Sequence, residues 1–274
     1  MPTSENVLHQ FAQLINQQTC KQPFGRLKVG VDLGTANIVL SVIDEKNQPV
    51  AGIAYPSTMI KDGIVVDYAK ASQIVSELKQ KLEENLQQSL IYAATAIPPG
   101  ISSGNAKVIA NVVESAGLIV TNVVDEPVAA ATVLQIKNGA VVDVGGGTTG
   151  MAFFRHNKII LSVDEPTGGT HMTLVLAGAL GISVENAEQI KKNAARADEV
   201  FSIIKPVIEK MAALVKNWLQ PYRTKNIYLV GGASCIKNFA RVFHEQTRLN
   251  IICPPEPLYV TPMGIALHVH LPQR

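Results

Sequence analysis

The chain of 274 residues is poor in several things, and each shortage excludes something. It has three cysteines, Cys20, Cys235 and Cys253, an odd and widely spaced set. That rules out a disulfide framework and a cysteine-based metal spacing, and it fits a reducing cytosol. Charged residues make up 17% and nearly balance, leaving a formal +2. No basic stripe runs along the chain, so a nucleic-acid partner is not expected. The one dense basic spot, Lys191 and Lys192, reads as a solvated helix face. No apolar run reaches membrane-spanning length and the N-terminus has no signal core. The expectation is no membrane and a cytoplasmic location. The remaining 47% hydrophobic content is enough for a well-buried core.

Residues 1–27 stand apart. Val7, Leu8, Phe11, Leu14 and Ile15 fall at helical spacing in a glutamine- and asparagine-rich stretch, and "KQPFG" then breaks the pattern. Two readings are open for this amphipathic extension: a helix docked on the main body, or an interaction tag for a partner.

The rest repeats itself in kind. "KVGVDLG", "NIVLSVID" and "PVAGIAYP" read as strands, followed by a helix over 68–90, the strand "LIYAATAIP", the helix "NAKVIANVVESAG", the strand "LIVTNVVD" and the helix "EPVAAATVLQI". After Gly139 the order returns. "AVVDVG", "GMAFFR" and "KIILSVD" are strands, 170–219 is helical, and "NIYLVGG", "IKNFARVFHEQTR", "NIIC" and "TPMGIALHVH" alternate strand and helix. The halves share a V-D-[LV]-G loop between their first two strands, so the architecture is a duplicated α/β domain.

In a P-loop or Rossmann unit a glycine loop opens a helix. Here both loops lead into another strand and are hairpin tips. Gly34, Gly145, Gly146 and Gly147 let backbone N–H groups approach an anion, and Thr35, Asn37, Thr148 and Thr149 add donors. A polyphosphate would be gripped from both sides. The carboxylates Asp32 and Asp143 would repel it unless a cation intervened, so both are candidate Mg²⁺ ligands, direct or through water. Glu126 ends the fifth strand of the first half and could orient an attacking water.

At these residues the sequence resembles the superfamily of actin, the DnaK-type chaperones and the sugar kinases. "VDLGTAN", which includes Ala36, looks like its first phosphate loop, "VVDVGGGTTG" its second, and "LVGGAS", with Gly231, Gly232 and Ala233, its adenosine loop. "VVDEPVAAA" and "PMGIALHV" are similar to its two connecting helices. The resemblance implies two RNase H-like lobes around a nucleotide cleft, with reduced outer subdomains: lobe I over 28–136, lobe II over 137–254, and a return helix in 255–274 packing on lobe I. It implies ATP or ADP with Mg²⁺, and a hinge where 129–131 crosses 264–266. By the same resemblance Gly168 and Gly169 of "TGGTH" are phosphate- and ribose-side candidates, and Glu188 and Lys191 of "ENAEQIKK" nucleoside-side candidates; a plain surface ion pair is the other reading of the last two. Asp32, Glu126, Asp143 and Thr148 would carry the Mg²⁺ and water chemistry. For His171 a structural helix-start role is expected.

Longer stretches, "IKDGIVVDYAKA", "DEPVAAATVLQIKNGAVVDVGGGTTG" and "DEPTGGTHMTLVLAGALGI", are similar to a narrower, chaperone-like family of ethanolamine utilisation. That resemblance implies a slow ATPase switch serving ethanolamine-utilisation enzymes or microcompartment shell proteins, with the N-terminal helix as a targeting tag. The alternative is a non-hydrolysing actin-like scaffold. The sequence departs from the superfamily at Gly150, where an acid is usual, and at Cys235, where DnaK stacks an arginine. Lys61 is the only cation near the expected phosphate-facing lysine. These departures bear on hydrolysis more than on binding.

Overall fold

A computed structural model describes residues 4–273. Residues 1–3 and 274, the outer ends of the N-terminal extension and of the closing segment, lie outside the described residues. Two five-stranded sheets share one topology. In lobe I the order is β3-β2-β1-β6-β7, built from β1 (Lys28–Leu33), β2 (Asn37–Ile43), β3 (Pro49–Pro56), β6 (Tyr92–Ile97) and β7 (Ile119–Asp125). In lobe II it is β10-β9-β8-β11-β12, built from β8 (Gly139–Val144), β9 (Thr149–Arg155), β10 (Lys158–Glu165), β11 (Asn226–Val230) and β12 (Asn250–Ile252). Both have three antiparallel strands followed by two parallel ones. The central strands are covered on both faces and read as near-continuous apolar runs.

The outer face of lobe I is covered by α2 (Tyr68–Leu86) and α3 (Ser103–Glu114). That of lobe II is covered by α5 (Gly169–Leu180), α7 (Ala197–Leu219) and α8 (Phe239–Thr247), with α6 (Val184–Lys192) beside them. The inner faces are exchanged. α4 (Glu126–Leu134) leaves lobe I and packs on β8 and β9, while α9 (Pro257–Leu267) leaves lobe II and packs on β1, β2 and β6. The two helices cross each other. Gly264 lies so near α4 that a Cβ there would sit 2.0 Å from the Ala129 carbonyl oxygen. Gly30 of β1 plays the same part under α9, where a Cβ would meet Ala266 N at 2.6 Å. The Ser41 hydroxyl of β2 donates to the Pro262 carbonyl at 2.6 Å.

The structure corrects the sequence reading at one helix end and refines it in two other places. α2 stops at Leu86 rather than Leu90, because Gln87 takes a left-handed conformation at φ 52°. Leu90 is buried all the same, so the apolar signal runs past the helix. The link after β3 holds a small antiparallel pair, β4 (Ile60–Lys61) and β5 (Ile64–Val65). In lobe II the helical stretch 170–219 is divided into α5, α6, a 3₁₀ turn and α7.

α1 (Ser4–Gln17) is docked on the body. Leu8, Phe11 and Ala12 are buried where α1 packs on β3 of lobe I and on α9. Phe11 meets Tyr259 edge-on at 5.7 Å and lies over Gly52 of β3, where a Cβ would come within 2.5 Å of its ring. The apolar face that a tag would present is therefore used within the chain. Among the described residues no helix is long and apolar enough to cross a membrane.

Two substitutions test this packing by urea unfolding. Phe11→Ala should cost about 3 kcal/mol of global stability, as for a buried core aromatic. Gly264→Ala should cost about 2–3 kcal/mol, because the carbonyl it strikes belongs to a helix that cannot retreat without opening the crossing.

Candidate functional site

The tips of the β1–β2 and β8–β9 hairpins face each other between the lobes. A Cβ on Gly146 would lie 3.0 Å from the Ala36 Cβ, and one on Gly147 would lie 2.6 Å from Thr35 Oγ1. Larger residues at either glycine would force the jaws apart. Between and beside the tips runs a cleft of about 580 Å³, within the range of small-molecule sites. Its walls include Asp32, Gly34, Thr35, Ala36 and Asn37 from lobe I, with Glu126 at the start of α4. Lobe II supplies Asp143, Gly145, Gly146, Gly147, Thr148, Gly169, Glu188, Lys191, Gly231, Gly232 and Ala233.

Two sequence candidates stand outside the cleft wall. Thr149 is fully buried and its hydroxyl donates to the Thr167 carbonyl at 2.6 Å, so it is not available to an anion. Gly168 packs on the second tip, where a Cβ would lie 2.7 Å from the Gly146 oxygen; it shapes the loop from behind. His171 accepts from Gly168 N at 3.3 Å, at the start of α5. Lys61 is exposed on β4 and does not line the cleft, whereas its neighbour Gly63 does.

Glu188 and Lys191 do form an ion pair, at 2.6 Å, but inside the cleft wall rather than on a free surface. Lys191 Nζ also donates to the Gly169 carbonyl at 2.9 Å and to Thr173 Oγ1 at 2.7 Å. Burial pushes the Lys191 amine down while Glu188 pulls it back up. This anchored cation ties α6 to the loop that backs the second tip. Farther along, the wall turns apolar with Ala194, Ala197, Val200, Ile236 and Leu258, and Cys235 joins them. Sequence reading did not find this patch, because its members come from three separate segments.

Thr261 and Asp164 were also not singled out. The Thr261 hydroxyl of α9 donates to Asp143 Oδ2 at 2.5 Å, with both groups buried. Asp164 sits in register with Gly150, which is in register with Asp143. Directly paired residues of neighbouring strands share a face, so the two aspartates flank a glycine. A Cβ on Gly150 would lie 3.2 Å from Asp164 Oδ1, 3.4 Å from Pro99 Cδ and 3.7 Å from Pro127 Cδ. The space where an acid is usual is thus filled by the acid of the next strand and by lobe I prolines. Asp164 Oδ1 is buried without a hydrogen-bond partner.

Residues 106–256 match the family model described as type IV pilus assembly protein PilM. The ethanolamine utilization protein EutJ of Escherichia coli K12 is 40% identical over 258 residues, covering 94% of this chain and 91% of that protein. The chain belongs to the EutJ family, within the wider family that the PilM model describes. The crystal structure of EutJ from Carboxydothermus hydrogenoformans superposes with a TM-score of 0.91 at 48% identity, over 96% of this chain and 97% of that one. MreB 5 of Spiroplasma citri bound to AMPPNP superposes with a TM-score of 0.73, over 89% and 96% of the two chains. At 18% identity that likeness shows the fold, which is actin-like.

The acids of this EutJ-family cleft are electrostatically crowded. Burial pushes Asp32 up to about 7, with the Asp143 charge adding to it. Burial pushes Asp143 up to about 6 against the Thr261 hydrogen bond. Asp164 rises to about 6 through burial, opposed by a Thr148 hydrogen bond and raised further by Asp143, Glu165 and Asp62. Glu126 is held well above the ordinary range by burial and then by Asp143, Asp32, Asp164 and Asp125. Four acids converge here, and one carboxylate oxygen is buried and unpartnered. That donor set fits a hard divalent cation. Among the described residues no three such side chains are close enough to cage a metal alone. Mg²⁺ suits this, since it keeps waters and is completed by phosphate oxygens. Asp32 and Asp143 would hold it.

These shifts set a pH dependence. In the folded state Asp32 keeps its proton up to about 7, whereas the unfolded chain releases it near 3.8. Between those values the unfolded state binds fewer protons, so stability falls as pH rises through the window. In metal-free buffer the melting temperature of Asp32→Asn should therefore move above that of the wild type as pH rises from about 4 to 7, reflecting a stability difference on the order of a few kcal/mol at neutral pH. Thermal melts of the two proteins across this range are the measurement, and parallel curves would refute the assignment.

Proposed function

We propose that this EutJ-family protein is an ATP- and Mg²⁺-binding switch of ethanolamine utilisation that hydrolyses slowly and acts on the enzymes or shell proteins of a microcompartment. The observation that carries the reading is the pair of apposed hairpin tips with a carboxylate at the base of each, Asp32 and Asp143, across a cleft whose far end is apolar. Backbone N–H groups of Gly34, Gly145, Gly146 and Gly147 would take phosphate oxygens. Ala197, Val200, Ile236 and Leu258 would take the base. Mg²⁺, when bound, neutralises phosphate charge. Glu126, partly exposed to the cleft and held well above the ordinary carboxylate range, would order a water as a hydrogen-bond partner. Thr148, held toward Asp164, would orient that water's neighbourhood.

Closure would be felt by the hinge. Asp143 is bonded to Thr261 of α9, and α9 lies on the sheet of lobe I. A ligand that competes for Asp143 Oδ2 changes the link between the cleft and the crossing helices. A nucleotide touching both lobes favours the closed state by its differential affinity. A Ser162 hydroxyl donating to Asp125 Oδ2 at 2.6 Å is a second link between lobes, next to Glu126.

The match to the PilM model favours a second reading, a scaffold that binds nucleotide without turning it over. Calorimetry with ATP and Mg²⁺ tests the common part. The wild type should bind, and Asp143→Asn should weaken Mg²⁺-ATP binding about tenfold while changing metal-free ATP binding little. No heat from the wild type would sink both readings. Phosphate release over long incubation, lost in Glu126→Gln, supports the switch; persistent binding with no release supports the scaffold.

A further inference from the structure

The strands that carry the cleft at one end carry a second feature at the other. β8, β11 and β12 run parallel, so all three begin at the end of lobe II opposite Gly145 and Gly231, and the β9–β10 hairpin turns there as well. The loops at this end bring together Lys137, Arg155, Lys158, Arg223, Lys225 and Arg248, all of them exposed. The segments 135–140, 155–158, 216–226 and 246–250 that form it contain no aspartate or glutamate. Among the described residues none of the six cations makes an ion pair. A chain with a formal charge of only +2 thus has a strongly positive end. Sequence reading expected no basic cluster beyond Lys191 and Lys192. These six are spread over more than a hundred positions and meet only in the fold.

The loops are tied to one another. Asn157 N donates to the Lys137 carbonyl at 2.9 Å, His156 N to Asn138 Oδ1 at 2.9 Å, and Asn250 N to the Lys225 carbonyl at 2.9 Å. Like charges held together in this way repel one another, and that repulsion is relieved by a bound anion. Between them is a cavity of about 490 Å³, with Arg155, Arg223 and Lys225 on its walls, the amides of Asn138 and Asn226 beside them, and Phe153 and Phe154 beneath. Beyond the hairpin the surface continues as Ile159 and Ile160, which are 51% and 44% exposed.

We propose that this end of lobe II is a docking surface for an acidic peptide segment of a partner protein, seated in the cavity with its carboxylates on Arg155, Arg223 and Lys225. Guanidinium forks suit carboxylates, and the mixture of cations, amides and neighbouring apolar side chains suits a peptide. A nucleic acid fits less well. Phe153 and Phe154 are buried and give no face for a base to stack on. The surface is separate from the nucleotide cleft and does not rest on the function proposed for it.

The test uses the full chain and a fluorescently labelled peptide of alternating glutamate and leucine, read by anisotropy. Duplex DNA and phosphatidylglycerol vesicles run in parallel. The wild type should bind the peptide, more weakly as salt rises. Joint Arg155→Glu, Arg223→Glu and Lys225→Glu should weaken binding by at least about tenfold. The charge-matched control, Lys70→Glu, Lys81→Glu and Lys107→Glu in lobe I, should retain it. If the triple reversal fails to fold by thermal melt, the pair Arg223→Gln and Lys225→Gln replaces it. No binding by the wild type, equal binding by the patch variant, equal loss in the control, or tighter binding of DNA or vesicles than of peptide would each overturn the proposal.

Discussion

The Ala129 carbonyl lies where Gly264 would carry a side chain, and that contact sets much else. Because α4 and α9 cross at backbone distance, each can leave its own lobe and cover the inner face of the other's sheet. Neither sheet could bury that face otherwise. The crossing also fixes which strand ends face each other across the gap. Small residues are required at Gly30, Ala129 and Gly264 for packing alone, before any ligand is considered.

The cleft inherits its electrostatics from that geometry. Equivalent strands in the two sheets each carry an aspartate next to their last residue, and bringing the strand ends together brings the aspartates together. Their repulsion is a consequence of duplication plus apposition, and a cation is its natural remedy. Gly150 belongs to the same account. Pro99 and Pro127 of lobe I reach it from across the gap, and Asp164 fills the rest. It is a contact point between lobes, and the acid of the neighbouring strand stands over it.

The two ends of lobe II have opposite character for a related reason. Parallel strands put all their C-terminal loops at one end and all their N-terminal loops at the other. Asp143 lies at the first, where Lys191, Lys192 and Lys237 also line the cleft, and the six exposed cations lie at the second. The cleft carboxylates and the exposed cations of the far end thus lie apart on one chain of nearly balanced charge.

The sequence by itself determined the duplication, the order of strands and helices, the two hairpin tips and most of the cleft wall. Those signals are local: an apolar period, a V-D-[LV]-G turn, a glycine run. Tertiary structure decided the rest. It placed Asp164 over Gly150 through strand register, turned the Thr149 hydroxyl to the Thr167 carbonyl, bonded Thr261 to Asp143, consumed the apolar face of α1, and collected six distant cations at one end of a sheet. Each depends on which residues meet across chain separations of 14 positions or more. Periodicity says which face of an element is buried, and only packing says what that face, or the loop beyond it, will touch.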